Sequence, residues 1–161
     1  MKKIALNTTL TVFENKEKLP EPVKLLMQAA VEAREHAYAP YSRFRVGVAL
    51  ALENGTVITG NNQENASYPS GLCAERVAIY YAGANYPGVK IKAMAVSAAS
   101  EKNKITEPIS PCGACRQAIA EYEINQESPI HIYFMGETGP VMKADSLKDL
   151  LPFLFEKSLL A

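Results

Sequence analysis

Three cysteines, a glutamate and an arginine are the residues of this chain whose types and spacing could do chemistry. Cys73-Ala74-Glu75-Arg76 is followed later by Pro111-Cys112-Gly113-Ala114-Cys115. On a helix, or on the turn that enters one, Cys112 and Cys115 present both sulfurs on one face. Thiolates converging in this way are natural ligands for Zn2+, which binds sulfur at about 2.3 Å. Cys73 can supply a third sulfur from the start of another helix. His36 and His131 are the only histidines, and neither stands at a ligand-like spacing. Three protein ligands leave the fourth tetrahedral position for water, the arrangement of a catalytic zinc; a closed structural site would have to recruit a histidine. The plain alternative is three buried thiols, since free cysteine is often buried. An odd count cannot close into intramolecular disulfides alone.

Helix starts suit this work. The partial positive charge of a helix N-terminus stabilises a thiolate, and all three cysteines are expected at such positions. Three thiolates on one Zn2+ still leave a net negative cluster, so a group that draws charge from the sulfurs is needed. Arg76 is that candidate, because its planar fork can donate to a ligand sulfur; otherwise it is a solvated surface charge. Glu75 stands two residues from a ligand, close enough to carry protons without binding the metal. A helix N-terminal acid favoured by the dipole is its structural alternative.

Several elements must position these residues. Ile4, Leu6, Thr8, Leu10 and Val12 alternate with other residues as a strand would, up to the polar run Glu14 to Lys18. Pro20-Glu21-Pro22 opens a helix ending near Tyr38, with proline tolerated in its first turn. Val46–Leu52 and Thr56–Gly60 flank Glu53-Asn54-Gly55, a strong hairpin signal. A loop leads into a helix starting near Cys73, Ile91–Ala98 reads as a buried strand, and Ser110-Pro111 begins a second central helix. Strands at Ile130–Met135 and around Val141-Met142 follow, then a last helix from Asp145-Ser146, interrupted at Pro152. Helices separating single strands imply an α/β sheet covered on both faces, and the early hairpin makes that sheet mixed.

The chain has 161 residues, 48% hydrophobic and 21% charged, which suits one domain with a single core. Lys and Arg total 17, as do Asp and Glu, so no basic surplus drives binding to phosphate backbones. A small, neutral partner fits better than nucleic acid. No apolar run approaches the roughly 20 residues of a membrane span. The start, Met1 to Leu6, turns polar at Asn7-Thr8-Thr9 before an export signal could develop. A cytoplasmic location is expected, where thiols stay reduced.

Taken together, the motifs resemble those of the cytidine deaminase family. The resemblance runs from about Tyr38 to Phe155 and rests on ordered segments: Tyr41–Gly47, Asn62–Pro69, Cys73–Arg76, Pro111–Gln117 and Leu150–Pro152. The zinc deaminases as a class begin their signature with a histidine ligand; Cys73 stands there instead, as in the all-cysteine branch acting on free nucleosides. The resemblance implies a three-layer α/β/α sandwich with a mixed five-stranded central sheet, formed by residues 19–161, with residues 1–18 as an N-terminal extension. It also implies one Zn2+ per subunit held by Cys73, Cys112 and Cys115. Glu75 would move protons from water to N3 of the ring and on to the departing amine. Asn62 and Glu64 would hold the ribose, Phe44 would pack on the pyrimidine and the Ala74 backbone would contact its amide. Ala66, Tyr68 and Phe155 would reach into a neighbouring subunit's site, in a homotetramer with sites at subunit interfaces. The activity so implied is hydrolytic deamination of cytidine and 2′-deoxycytidine in pyrimidine salvage.

Two other readings share these motifs. A deaminase of another heterocyclic amine, such as blasticidin S, would keep the cysteines, although Asn62-Gln63-Glu64-Asn65 favours a ribose. A zinc-stabilised binding protein without catalysis would have no need of Glu75. The polar stretch Glu101–Pro108 reads as a long surface loop.

Overall fold

The structure is a computed structural model and describes residues 1–160; residue 161, where the expected domain ends, lies outside the described residues. Six strands form one mixed sheet: β1 (Thr11–Phe13), β2 (Phe44–Leu52), β3 (Val57–Asn61), β4 (Ile91–Ser100), β5 (His131–Met135) and β6 (Val141–Ala144). Their order is β1-β6-β5-β4-β2-β3. β4 and β5 run parallel and every other neighbour pair is antiparallel. Among the described residues three α-helices cover the sheet: α1 (Glu21–Glu35), α2 (Ala74–Asn85) and α3 (Gly113–Asn125).

Strand alternation sorts the two faces. Val48, Leu50 and Leu52 on β2, Met94 and Val96 on β4, and Ile132 and Phe134 on β5 pack in one core with Ala78 and Ile79 of α2 and Ile119 of α3. The residues between them, Ala49, Ala95, Tyr133 and Met135, form a second core with Leu26, Met27 and Ala30 of α1. The expected three-layer sandwich follows from this division.

The hairpin of β2 and β3 turns at Gly55, whose φ of 86° suits a residue without a Cβ. Glycines also set how closely helices approach. A Cβ on Gly47 would stand 2.1 Å from the Ala30 carbonyl oxygen of α1, and one on Gly60 would stand 2.9 Å from the Ala74 carbonyl oxygen of α2. The second contact matters for function, because it seats the first turn of α2 on the end of β3.

Two expectations change. The sheet has six strands, the extra one being a part of the N-terminal segment. Only Thr11–Phe13 is strand, because its partner β6 is short and pairs through Val141, Met142 and Lys143. Earlier residues leave the sheet, and the Thr8 hydroxyl donates to the Asp149 carbonyl at 2.7 Å. The helix expected from Asp145-Ser146 is a single 3-10 turn, Leu147–Asp149, with a capping box at Ser146. Its continuation is lost because the Leu150 carbonyl accepts from the Arg116 guanidinium at 2.7 Å, and Pro152 stops further winding. Among the described residues no helix is long and apolar enough to cross a membrane.

Candidate metal centre and active site

The starts of α2 and α3 converge on one point. Cys73 is the N-cap of α2 and Cys112 the N-cap of α3, both with extended backbone. Cys115 lies one turn into α3 and is fully buried. All three are free thiols, and their sulfurs lie within 4.8 Å of one another. The Cys73–Cys112 separation is 3.8 Å and the Cys112–Cys115 separation 3.4 Å. Sulfurs bound at about 2.3 Å to a tetrahedral zinc stand about 3.8 Å apart, so the cluster has the size that the metal requires.

Its electrostatics point the same way. A hydrogen bond from Cys115, helped by Arg76, holds the Cys73 thiol down to about 5. That same hydrogen bond, together with burial, drives the Cys115 thiol far up. One negative charge is tolerated readily and three only with a compensating cation. Arg76 supplies part of it: its Nη2 lies 3.8 Å from the Cys73 sulfur, and its buried Nε finds no partner among the described residues.

Glu75, in the first turn of α2, is 5% exposed. Burial raises its carboxyl above the usual carboxylate range, and the neighbouring Cys73 thiolate adds to this. A buried carboxyl with a raised pKa is the kind of group that serves as general acid and base.

An open cleft of about 510 Å3 lies beside the sulfurs, lined among others by Tyr41, Ser42, Asn62, Glu64, Tyr68 and Arg76. The Glu64 carboxylate accepts from the backbone N–H groups of Tyr41 at 2.9 Å and Ser42 at 3.2 Å. Burial tends to raise its pKa, but these bonds and the Ser42 hydroxyl outweigh it, leaving the group below its ordinary value. Asn62 is pinned to β2: its Oδ1 accepts from Val46 N–H at 2.7 Å and its Nδ2 donates to the Phe44 carbonyl at 2.9 Å. Each keeps hydrogen-bonding capacity for a ligand.

The cleft thus gathers Asn62, Glu64, Tyr68, Cys73 and Arg76 from the sequence-based set. Ala74 is fully buried at the start of α2 and Phe44 half-buried at the start of β2, behind Asn62. Ala66, Tyr68 and Phe155 are exposed. Phe155 does not line this cleft; its carbonyl is held by Gln117 Nε2 at 2.8 Å. Tyr41 and Ser42 belong to a recognised motif, yet no local pattern signals that their amides orient a glutamate more than twenty positions away.

Known proteins resemble this chain in sequence and in fold. The family model for the cytidine and deoxycytidylate deaminase zinc-binding region matches residues 20–128. A cytidine deaminase of Sporosarcina psychrophila is 43% identical over 136 residues, covering 84% of this chain and 92% of that protein. One from Halalkalibacterium halodurans is 45% identical over 132 residues, covering 82% and 92%. The crystal structure of a cytidine deaminase from Burkholderia pseudomallei superposes with a TM-score of 0.70 at 43% identity, covering 81% of this chain and 97% of that one. A Mycobacterium tuberculosis cytidine deaminase gives 0.63 at 30% identity, covering 83% and 97%. With the zinc-binding region matched across both helix starts that carry the sulfurs, the chain belongs to the cytidine and deoxycytidylate deaminase family.

Proposed function

We propose that this chain hydrolyses the exocyclic amine of cytidine and of 2′-deoxycytidine, releasing ammonia and the corresponding uridine. The observation that carries this reading is a three-sulfur cluster with a buried carboxyl beside it in sequence, next to a cleft that offers Asn62 and Glu64. Cys73, Cys112 and Cys115 would hold one zinc ion per subunit, which when bound would supply Lewis-acid activation of water. Water oxygen adds to C4 of the pyrimidine while Glu75 takes one of its protons and delivers it to N3. Glu75 then takes the second proton, from the hydroxyl now on C4, and passes it to the amine, which leaves as ammonia as the C4–N bond breaks. Arg76 withdraws charge from the Cys73 sulfur and so offsets the surplus of three thiolates.

Asn62 and Glu64 hold the sugar hydroxyls. Glu64 stays ionised, as an acceptor must, because the Ser42 hydroxyl and the Tyr41 and Ser42 amides favour its charged form. Phe44 packs against the pyrimidine, and the Ala74 backbone meets the base amide. Ala66, Tyr68 and Phe155 complete a neighbouring subunit's site in a homotetramer. Tyr68 at 77% and Phe155 at 58% exposure support this, since large apolar groups so placed gain by being covered. Residues 1–18 are an extension to a deaminase domain starting at residue 19, in keeping with a family match that begins at residue 20. The enzyme works on free nucleosides in pyrimidine salvage, in the cytoplasm, where its thiols stay reduced; nucleic acid and membranes are not its partners.

The test is a panel of cytosine, cytidine, 2′-deoxycytidine, cytidine monophosphate and blasticidin S. Each is added to zinc-replete protein while ultraviolet absorbance is followed. Turnover of the two nucleosides well above the rest is expected. Turnover of blasticidin S alone would transfer the activity to that amine, and no turnover of any compound would leave a zinc-stabilised binding protein.

A further inference from the structure

Arg116 follows the buried ligand Cys115, and its guanidinium turns away from the sulfurs. Its Nε donates to the Pro111 carbonyl at 2.8 Å, its Nη2 to the Ser110 hydroxyl at 2.9 Å and its Nη1 to the Leu150 carbonyl at 2.7 Å. All three acceptors are neutral oxygens. Two belong to the turn that delivers Cys112, and the third to the residue that follows the Leu147–Asp149 turn.

That turn needs holding. Cys115 is fixed by complete burial within α3. Cys112 is exposed and stands at the N-cap, where no side chain caps the helix. Cys112 itself is fixed by neither burial nor a capping side chain; the Pro111 ring before it is fully buried, and the Arg116 fork adds hydrogen bonds to Ser110 and Pro111 that fasten the same turn. The far end of the fork is itself anchored. The buried Glu123 carboxylate accepts from the Leu147 backbone N–H at 3.0 Å and from the Ser146 hydroxyl, and Thr8 bonds the Asp149 carbonyl. A rigid planar donor reaching three acceptors at once does what a flexible ammonium cannot.

We propose that Arg116 is a positioning residue that clamps the Ser110–Cys112 turn to the Leu147–Leu150 segment and thereby fixes the Cys112 sulfur for zinc. The segment after β6 is, on this account, part of the frame of the metal centre. The proposal rests on the zinc reading of the three thiols, but not on which heterocycle is turned over.

The experiment compares wild type with Arg116→Gln, Arg116→Lys and Ser110→Ala as zinc-loaded proteins. Release of zinc to a chromogenic chelator is timed at a temperature where circular dichroism shows each to be folded. Partners that orient metal ligands are commonly worth about 10- to 100-fold in metal affinity. Both Arg116 variants should therefore release zinc about tenfold faster or more, and Ser110→Ala faster by a smaller factor. For whichever nucleoside is turned over, kcat should fall with KM little changed.

Unchanged zinc release with only a lowered melting temperature would make Arg116 an ordinary structural residue and overturn the proposal. So would rescue by lysine, which would mean that its charge matters and its fork does not. Should Arg116→Gln fail to fold, Arg116→Lys and Ser110→Ala still decide the matter. Chelator release needs no substrate, so it stands apart from failure of the nucleoside reading.

Discussion

α1 lies on one face of the sheet and α2 and α3 on the other, and on each side a glycine lets a helix settle onto a strand. Gly47 admits the backbone of α1 at Ala30 and Arg34; Gly60 admits that of α2 at Ala74 and Ala78. Each face also buries a charged side chain. On the α1 side, Arg34 donates to the Ser97 hydroxyl at 2.8 Å, and that hydroxyl donates to the Gly136 carbonyl. The result is a tie between helix, strand and turn, with the charge partnered by Glu35. On the other side, burial raises the pKa of Glu75 and the charge of the Cys73 sulfur adds to this. The devices are alike and the outcomes differ, because among the described residues only α2 and α3 point their N-termini at a shared centre. Helix direction, more than burial, separates the chemical face from the supporting one.

The widest break of this comparison comes from Glu75→Gln. The amide keeps the shape and cannot carry a proton, so kcat should fall by about 10²- to 10⁴-fold. Zinc content and melting temperature should stay near wild type, since the carboxyl it replaces is already held toward its neutral form. Steady-state rates beside metal analysis give the answer. A variant that turns over at near the wild-type rate would remove Glu75 from proton transfer.

A sharper cut uses the two glycines. In Gly47→Ala the new methyl meets Ala30 O at 2.1 Å and Arg34 N at 2.3 Å; in Gly60→Ala it meets Ala78 N at 2.8 Å and Ala74 O at 2.9 Å. Forcing a methyl into such contacts costs about 1–3 kcal/mol or more, and the closer approach predicts that the Gly47 variant melts lower. The Gly60 variant should be the one that releases zinc faster and loses turnover, by roughly tenfold, because its strain falls on the first turn of α2 beside Cys73. Equal zinc loss in both variants would dissolve the distinction between the faces.

How far the sequence foretold this depends on the range of each contact. The hairpin, the helix starts and the metal cluster were legible because Asn54-Gly55, Cys73 and the Cys112/Cys115 spacing act over a few residues. The N-terminal alternation was misleading in length, since a strand extends only where β6 offers a partner. The start signal at Ser146 was real and its capping box formed. The helix nevertheless ended after one turn, because the Leu150 carbonyl found a donor on α3, 34 positions earlier. The roles of Tyr41, Ser42 and Arg116 have the same character. Each depends on which distant backbone group the fold brings alongside, and local pattern carries no record of that.

The smallest effect expected belongs to Glu64, whose environment resembles the supporting face although it lines the cleft. Its carboxylate is bonded by the amides of Tyr41 and Ser42, and its pKa lies below the ordinary 4.5. A group whose folded pKa is depressed stabilises the fold fully above its unfolded value and loses that contribution as pH falls through the folded one. Glu64→Gln removes the titration and leaves a weaker acceptor. The wild-type advantage in melting temperature should therefore be constant from neutral pH down to about 4.5 and shrink below it. Protonation of the cysteine ligands affects both proteins alike, so the difference between their melting curves isolates Glu64. A difference that stays level into stronger acid would mean that the two amides hold the loop without favouring the charged carboxylate, and that Glu64 is free to serve the ligand alone.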